Sequence, residues 1–450
     1  MTPLPALPLL GLLLVVPVGR AFTQPPADPL APIVAEALRN NLSLAQERLT
    51  ESRADAAVRE ARARLLPSFT LDARYSEQSG TLDLGELINP AYAALNQIIG
   101  QPRFPTDISA SLPLGHESRV RMLQPLFDPA SVAAYSLARN ARDAQHLQRR
   151  VVARSLAANA QIAYLTVAAA ASARARWEAT LELVTESERV AKRLVEAGRA
   201  TPDAIFRTRA DRSDVEQQVA AAREAEASAA RAFNHLLRRP LDAPVDPIAD
   251  SLVRFPLAIS EDDAIAGALA RREEIAQADA GVRAADAGIR LATASFLPSV
   301  ALAVDYGVQG TEIGFSRDDD FALASVVLSW NLFSGGRNVA RRQAATADAG
   351  RQQLRRDEVE DLVRLDVRQR YGAAIVERDA IATAESRLAA ARRTFDLVRR
   401  RYEEGMASQV EFIDARTALT AAELNRVATI YRYAIRYVDL ERAAALRDID

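Results

Sequence analysis

The same plan is written twice along this chain. Residues 61–75 read ARARLLPSFTLDARY and residues 292–306 read ATASFLPSVALAVDY. Both pass from a helical pattern through a Leu-Pro-Ser break into strict alternation. Downstream, Pro125-Leu126-Phe127-Asp128 corresponds to Asn331-Leu332-Phe333-Ser334, and Glu196-Ala197-Gly198-Arg199-Ala200 to Glu403-Glu404-Gly405-Met406-Ala407. Three matches in one order define an internal repeat. The copies occupy roughly 28–247 and 257–450 and meet in a proline-bearing segment around Pro240 to Pro256. As domains, the division is 22–247 and 248–450.

Each copy opens with a helix rich in alanine, arginine and glutamate, which Pro67 or Pro298 ends by removing an amide donor and crowding the preceding turn. The period then changes from about 3.6 to 2. Phe69, Leu71, Ala73 and Tyr75 share one face of a strand, as do Val300, Leu302, Val304, Tyr306 and Val308 in the second copy. A second strand is expected near Ile108–Gln124 and near Phe321–Leu332. Val120 and Met122, and Leu328, Trp330 and Leu332, would form their outward faces. Polar or glycine-rich loops connect them, the longest an insertion around Leu82–Arg103.

Two long helices follow, Pro129 to Ala197 and Gly336 to Glu404, neither with an interior proline. At 1.5 Å per residue each spans about 100 Å, far beyond an ordinary globular helix. A glycine turn and a returning helix come next, Pro202–Arg239 and Gln409–Leu446. Leu181, Val184, Val190, Leu194 and Val195 form one apolar stripe, and Leu388, Phe395, Leu397 and Val398 the other. Intervening alanines permit close approach, so the expected architecture is a pair of antiparallel coiled hairpins. The fold class is therefore mainly α with a membrane-type β part.

Composition narrows the function. With 57 basic and 59 acidic residues the formal charge is −2, which gives no basic surplus for nucleic acid. There is no cysteine, so disulfides, thiolate metal sites and thiol chemistry are excluded. His116, His146 and His235 lie far apart, none at metal-ligand spacing, and read as surface or packing residues. No nucleophile elbow, phosphate-binding glycine loop or metal cluster is present, so neither enzymatic activity nor a cofactor is expected. Residues 1–21 contain an apolar run from Leu7 to Val18 followed by Gly19, Arg20 and Ala21. The run is short for a membrane span, and prolines break it, so it reads as a secretory signal peptide, although no positive residue precedes it.

Four strands per chain are too few to close a membrane barrel, whose smallest known form has about eight. An open sheet in lipid would leave its edge groups unsatisfied. Strands that enter a membrane must therefore combine between protomers, with the long helices forming a tube below. The alternative is a periplasmic coiled-coil adaptor or scaffold protein, in which the strands form an ordinary soluble sheet.

The helix–LPS–strand–strand–PLFD–long helix–glycine turn–helix plan resembles the TolC-like outer-membrane efflux proteins over nearly the whole mature chain. Arg400-Arg401-Tyr402-Glu403-Glu404-Gly405 and Glu411-Phe412-Ile413-Asp414-Ala415-Arg416 are similar to that family's second hairpin tip. The resemblance implies a homotrimer with a twelve-stranded barrel in the outer membrane of a Gram-negative cell and a periplasmic helical tunnel. It also implies docking to a periplasmic adaptor, which the hairpin turns at Gly198, Arg199, Gly405 and Met406 would contact. An inner-membrane pump or ABC exporter would supply the energy for efflux or type I secretion.

The family closes its periplasmic end at the hairpin tips, where acidic side chains ring the lumen. The matching residues are Glu411 and Asp414, with Tyr402 in the position of a tyrosine that helps hold the tips closed. Such a ring would concentrate negative potential at a constriction. Ser408 and Glu411 also have the spacing of a capping box, so Glu411 has a purely local role open to it. Two departures stand out. Ala407 replaces an arginine of relatives, and Asp203 lies one position before the usual acid of the first tip, where Ala204 sits. Thr201 and Pro202 read as the cap and first residue of the returning helix.

Overall fold

The computed structural model describes residues 29–77, 82–108, 111–112, 115–253, 255–310 and 319–449. The expected signal peptide lies outside them. The first copy contains α1 (Ala31–Asn40), α2 (Leu42–Ala63), β1 (Ser68–Tyr75), β2 (Leu82–Asp83), α3 (Leu84–Ile99), β3 (Ser111–Leu112), β4 (His116–Phe127), α4 (Pro129–Glu196) and α5 (Asp203–Leu237). The second contains α6 (Glu261–Arg271), α7 (Glu273–Ala294), β5 (Ser299–Gly310), β6 (Asp320–Ser329), α8 (Arg337–Glu403) and α9 (Gln409–Ala443). The repeat extends to backbone detail. Asn41, between α1 and α2, and Arg272, between α6 and α7, break their helices at the same extended conformation, φ −69°, ψ 132° and φ −67°, ψ 129°.

The four long strands form one antiparallel sheet in the order β1-β4-β5-β6. Its register gathers the expected apolar faces on a single side. Phe69 faces Met122, Leu71 faces Val120, Val120 faces Tyr306, Met122 faces Val304, and Val300 faces Leu328. The other side is polar over three strands. There Arg121 holds Asp305 through two bonds of 2.7 and 3.0 Å, and Arg74 and Arg119 both reach Glu117. The edge strand β6 is apolar on both sides, because Leu323 lies opposite Asp305 and Val327 opposite Ala301. Among the described residues, the outer edges of β1 and β6 have no strand partner.

Three expectations need correction here. The second strand of the first copy begins at His116, not near Ile108. Ile108 instead belongs to a loop tied to Asn89, whose side-chain amide donates to the Ile108 carbonyl at 2.8 Å and accepts from its amide at 2.9 Å. The insertion around Leu82–Arg103 is largely α3, a helix whose Pro90 and Gly85 hide its period. Finally, β6 ends at Ser329, so Trp330 and Leu332 lie beyond the ladder, and the Trp330 indole donates to the Phe296 carbonyl at 3.0 Å.

α4 carries the structure from the sheet to the far end. Asp128 caps it, accepting from the Ala130 and Ser131 amides, and Pro129 starts it. Its first half packs between α2 and α7, and further along it packs against α5 and α9. The alanine-rich middle is apolar enough by composition to cross a bilayer, yet about half of that window is buried. There Leu156, Ala157 and Ala160 meet Val34, Phe233 and Leu237, while Leu165 and Ala168 meet Val427, Tyr431 and Val438. In the second copy α6 lies on α8 in the same way, with Ala264 and Ala268 against Val363 and Val367. One buried ion pair joins the copies, and an ion-pair cluster lies within the second. Arg154 grips Glu273 with two bonds of 2.8 Å, and Asp366 lies within ion-pair distance of Arg272, Arg370 and Arg442.

The segment between the copies is a strap laid across these helices. Four tyrosine hydroxyls donate to its backbone carbonyls: Tyr164 to Asp246, Tyr431 to Ile248, Tyr433 to Phe255 and Tyr371 to Ile259. Tyr431 and Ser172 also donate to the Asp250 carboxylate, at 2.9 and 2.6 Å. A proline-broken chain cannot satisfy its own carbonyls, and the tyrosines on α4, α8 and α9 do so instead.

Candidate functional site

The far ends of the two hairpins are built alike. Gly198 and Gly405 adopt left-handed φ values of +62° and +79°. The Gly198 amide donates to the Val195 carbonyl and that of Arg199 to Leu194, while Gly405 donates to Tyr402 and Met406 to Arg401, at 2.7–3.0 Å. This reversal satisfies the last carbonyls of each long helix and needs a residue without a Cβ penalty. Gly198, Arg199, Gly405 and Met406 are all exposed at the turns.

At the start of α9 the capping box is complete. The Ser408 amide donates to the Glu411 carboxylate at 2.7 Å, and the Glu411 amide donates to the Ser408 hydroxyl at 3.2 Å. The Ser408 amide, then its hydroxyl and the Arg401 charge, hold the Glu411 carboxyl below its usual range. Asp414, one turn on, is exposed, and its side chain has no hydrogen bond or ion pair among the described residues. Tyr402 is half-buried. Its ring stacks on Phe412 at 4.9 Å, beside Phe395 and Leu419, and burial pushes its hydroxyl pKa up. In the apolar stripes, Val184 packs against Val215 and Val219, while Leu388, Phe395 and Val398 join the cluster around Phe412. Leu397, expected among them, is exposed instead.

The first tip departs from expectation. α5 begins at Asp203 with Pro202 as its cap residue, and the Thr201 hydroxyl donates to the Asp203 carboxylate rather than accepting from a backbone amide. That bond, then the Arg207 charge at 3.2 Å, lowers the Asp203 pKa. Glu411, Asp414 and Tyr402 thus share one tip and Asp203 belongs to the other. The tips touch where the Gln409 side chain donates to the Ala204 carbonyl at 3.0 Å.

Two contacts between the hairpins escaped the sequence reading. Arg416 is buried and donates to Asp211 at 2.7 Å, and the Thr180 and Thr420 hydroxyls meet at 3.2 Å. Burial raises the Asp211 pKa despite the opposing Arg416 charge. The one signal available was a charged residue, Arg416, on the buried face of an otherwise apolar helix period. Among the described residues no cluster of His, Cys, Asp or Glu is arranged to hold a metal. His146 bonds Glu51 at 2.7 Å, His116 bonds Ser118 at 2.9 Å, and His235 is exposed.

A sheet apolar on one side with open edges, mounted on helices about 100 Å long, defines a subunit of a membrane channel. The family model of the outer membrane efflux protein matches residues 33–237 and again 264–446. The chain belongs to that family. Among solved structures it is similar to a membrane protein from Pseudomonas aeruginosa, at 22% identity over 93% of each chain and a TM-score of 0.76. It also resembles the outer membrane protein VceC of Vibrio cholerae, at 17% identity over 92% of this chain and 95% of that one, with a TM-score of 0.75. The open state of the Neisseria gonorrhoeae MtrE outer membrane channel aligns at 20% identity over 92% and 88%, with a TM-score of 0.70. No curated protein matches significantly by sequence.

The protein is therefore an outer-membrane channel component of an efflux system, with its sheet in the outer membrane of a Gram-negative cell and its helices in the periplasm. Trimeric assembly and tripartite efflux are the general setting of the family. A periplasmic coiled-coil scaffold is not favoured, since it leaves the paired, one-side-apolar strands without a role.

Proposed function

We propose that the chain is one third of a passive, homotrimeric conduit that opens and closes at the hairpin tips and carries out no catalysis. The observation that carries this is the sheet with two free edges. Its strands alternate in direction, β1 leading away from the helices and β6 leading back, so β6 of one copy meets β1 of the next antiparallel. An even strand number in each protomer keeps the alternation around a closed barrel, which satisfies every edge group in lipid.

Within this reading the two copies form 22–247 and 248–450, each supplying two strands and one hairpin. Asp414 is the principal gate acid because its carboxylate is exposed and free. Glu411 adds charge to the same rim while capping α9, Asp203 contributes from the first tip, and Tyr402 braces the turn by packing on Phe412. The exposed turns at Gly198, Arg199, Gly405 and Met406 offer the docking surface for a periplasmic adaptor, with an inner-membrane pump or ABC exporter driving transport. The expected measurement is a trimer mass in detergent and a small, cation-favouring conductance in planar bilayers. Asp414→Ala should keep the trimer and reduce cation selectivity. Unchanged selectivity removes Asp414 from the gate, and a monomer that never inserts overturns the conduit itself.

A further inference from the structure

We infer that the strap between the two copies and helices α4, α8 and α9 enclose a binding site for an amphipathic organic anion with a carboxylate head and an acyl-sized apolar body. A cavity of about 680 Å³ lies there, within the size range of small-molecule sites. Phe255 and Leu257 of the strap, Ile381 of α8, and Ile430 and Tyr433 of α9 give it an apolar wall. Three guanidinium groups meet at the same cavity, Arg176 from α4, Arg378 from α8 and Arg426 from α9.

Their pairing is incomplete. Arg176 is half-buried and makes no ion pair or side-chain hydrogen bond among the described residues. Arg426, also half-buried, has only Glu385 at 3.9 Å, beyond hydrogen-bond distance. Arg378 is turned to the neighbouring Asp379 at 3.0 Å. Two carboxylates line the cavity, Glu385 and Asp250, the latter also accepting from the Tyr431 and Ser172 hydroxyls, so that among the described residues three cations face two acids. A guanidinium beside an apolar wall with no carboxylate in hydrogen-bond reach has its fork free, and a planar carboxylate fits that fork. A cavity lacking the arginines would take a neutral lipid equally well, and one lacking the apolar wall would take a free inorganic anion. This one combines both. The wall is also held in place, since Tyr433 fixes the Phe255 carbonyl at 2.5 Å and the Phe255 ring stacks on Tyr437 at 5.0 Å.

The test uses the full-length trimer in nanodiscs of zwitterionic phospholipid, free of detergent micelles, with a fluorescent polyene fatty acid as probe. Dodecanoate should displace the probe and dodecanol should fail to. Arg176→Gln should weaken displacement by dodecanoate roughly tenfold, the loss expected for one charge-assisted hydrogen bond. Arg189→Gln, on the exposed side of α4 where Arg189 pairs with Glu186 at 2.7 Å, should leave it unchanged. Equal displacement by the alcohol, or full affinity in Arg176→Gln, overturns the site. If Arg176→Gln does not assemble, Arg426→Gln is read in the same assay, where weakened binding supports the site and full affinity overturns it.

Discussion

Gly307 faces Arg119 across the β4–β5 ladder, and a Cβ built on it would lie 2.1 Å from the Ser118 carbonyl oxygen. Gly307→Val should therefore prevent pairing of the two copies' strands, and the heat-modifiable trimer band on gels should vanish. Gly405→Ala sets a milder case. Its φ of +79° costs an L-residue about 1 kcal/mol, which should lower thermal stability without loss of assembly. At the inter-hairpin contact, Asp211→Leu strands a buried Arg416 and should cost about 3 kcal/mol in chemical denaturation, whereas Asp211→Asn keeps an acceptor and should cost much less. Local chemistry of this kind was legible when its partners were neighbours. Ser408 and Glu411 announce their capping box within four residues, and the glycine turns announce themselves. The Arg416–Asp211 pair did not, because 205 residues separate its members and only packing brings them together.

Helices α4 and α8 were readable end to end because nothing interrupts their period, and the strands because alternation is strict on the membrane side. α3 was missed since Pro90 and Gly85 argue against a helix that Asn89, Asn96 and Tyr92 then secure against the returning loop. The strap was visible only as a run of prolines, with no hint of the tyrosines that hold it. Tyr433→Phe deletes one hydroxyl and should cost about 1 kcal/mol, measurable as a lower unfolding midpoint. The ion pairs of Glu273, between the copies, and of Asp366, within the second copy, carry a pH dependence of definite sign. Burial opposes ionisation of Glu273 and Asp366, yet Arg154 in one case and Arg442, Arg272 and Arg370 in the other outweigh it and leave both pKa values lowered. Their stabilisation is present above the ordinary carboxylate range, about pH 4–5, and is lost as pH falls through the lower folded values. Asp211 has the opposite sign, since its raised pKa makes protonation on folding easier as pH falls. Thermal melts should therefore drop below about pH 4, and Glu273→Gln should flatten that drop while Asp211→Asn should not.

Across the whole molecule, assembly is the property hardest to see in a single chain and the easiest to probe in this one. The absence of cysteine means that one residue introduced on β1 and another on β6 give a background-free test. With Thr70→Cys fixed on β1, cysteines scanned along β6 should yield a covalent trimer only at the one or two positions opposite Thr70, and no cross-link anywhere would exclude the β1–β6 seam. The helical part has a mechanical consequence. α4 runs for 68 residues with no interior proline, and it changes neighbours part-way while remaining one rod. A rod of that kind has no joint at which a movement of the tip could be absorbed. Torque applied at the turn near Gly198 is transmitted as bending and rolling along the shaft, up to the level where the strap crosses it. In the proposed conduit the strap would act as a hoop on a barrel, holding the staves at mid-height if their lower ends splay.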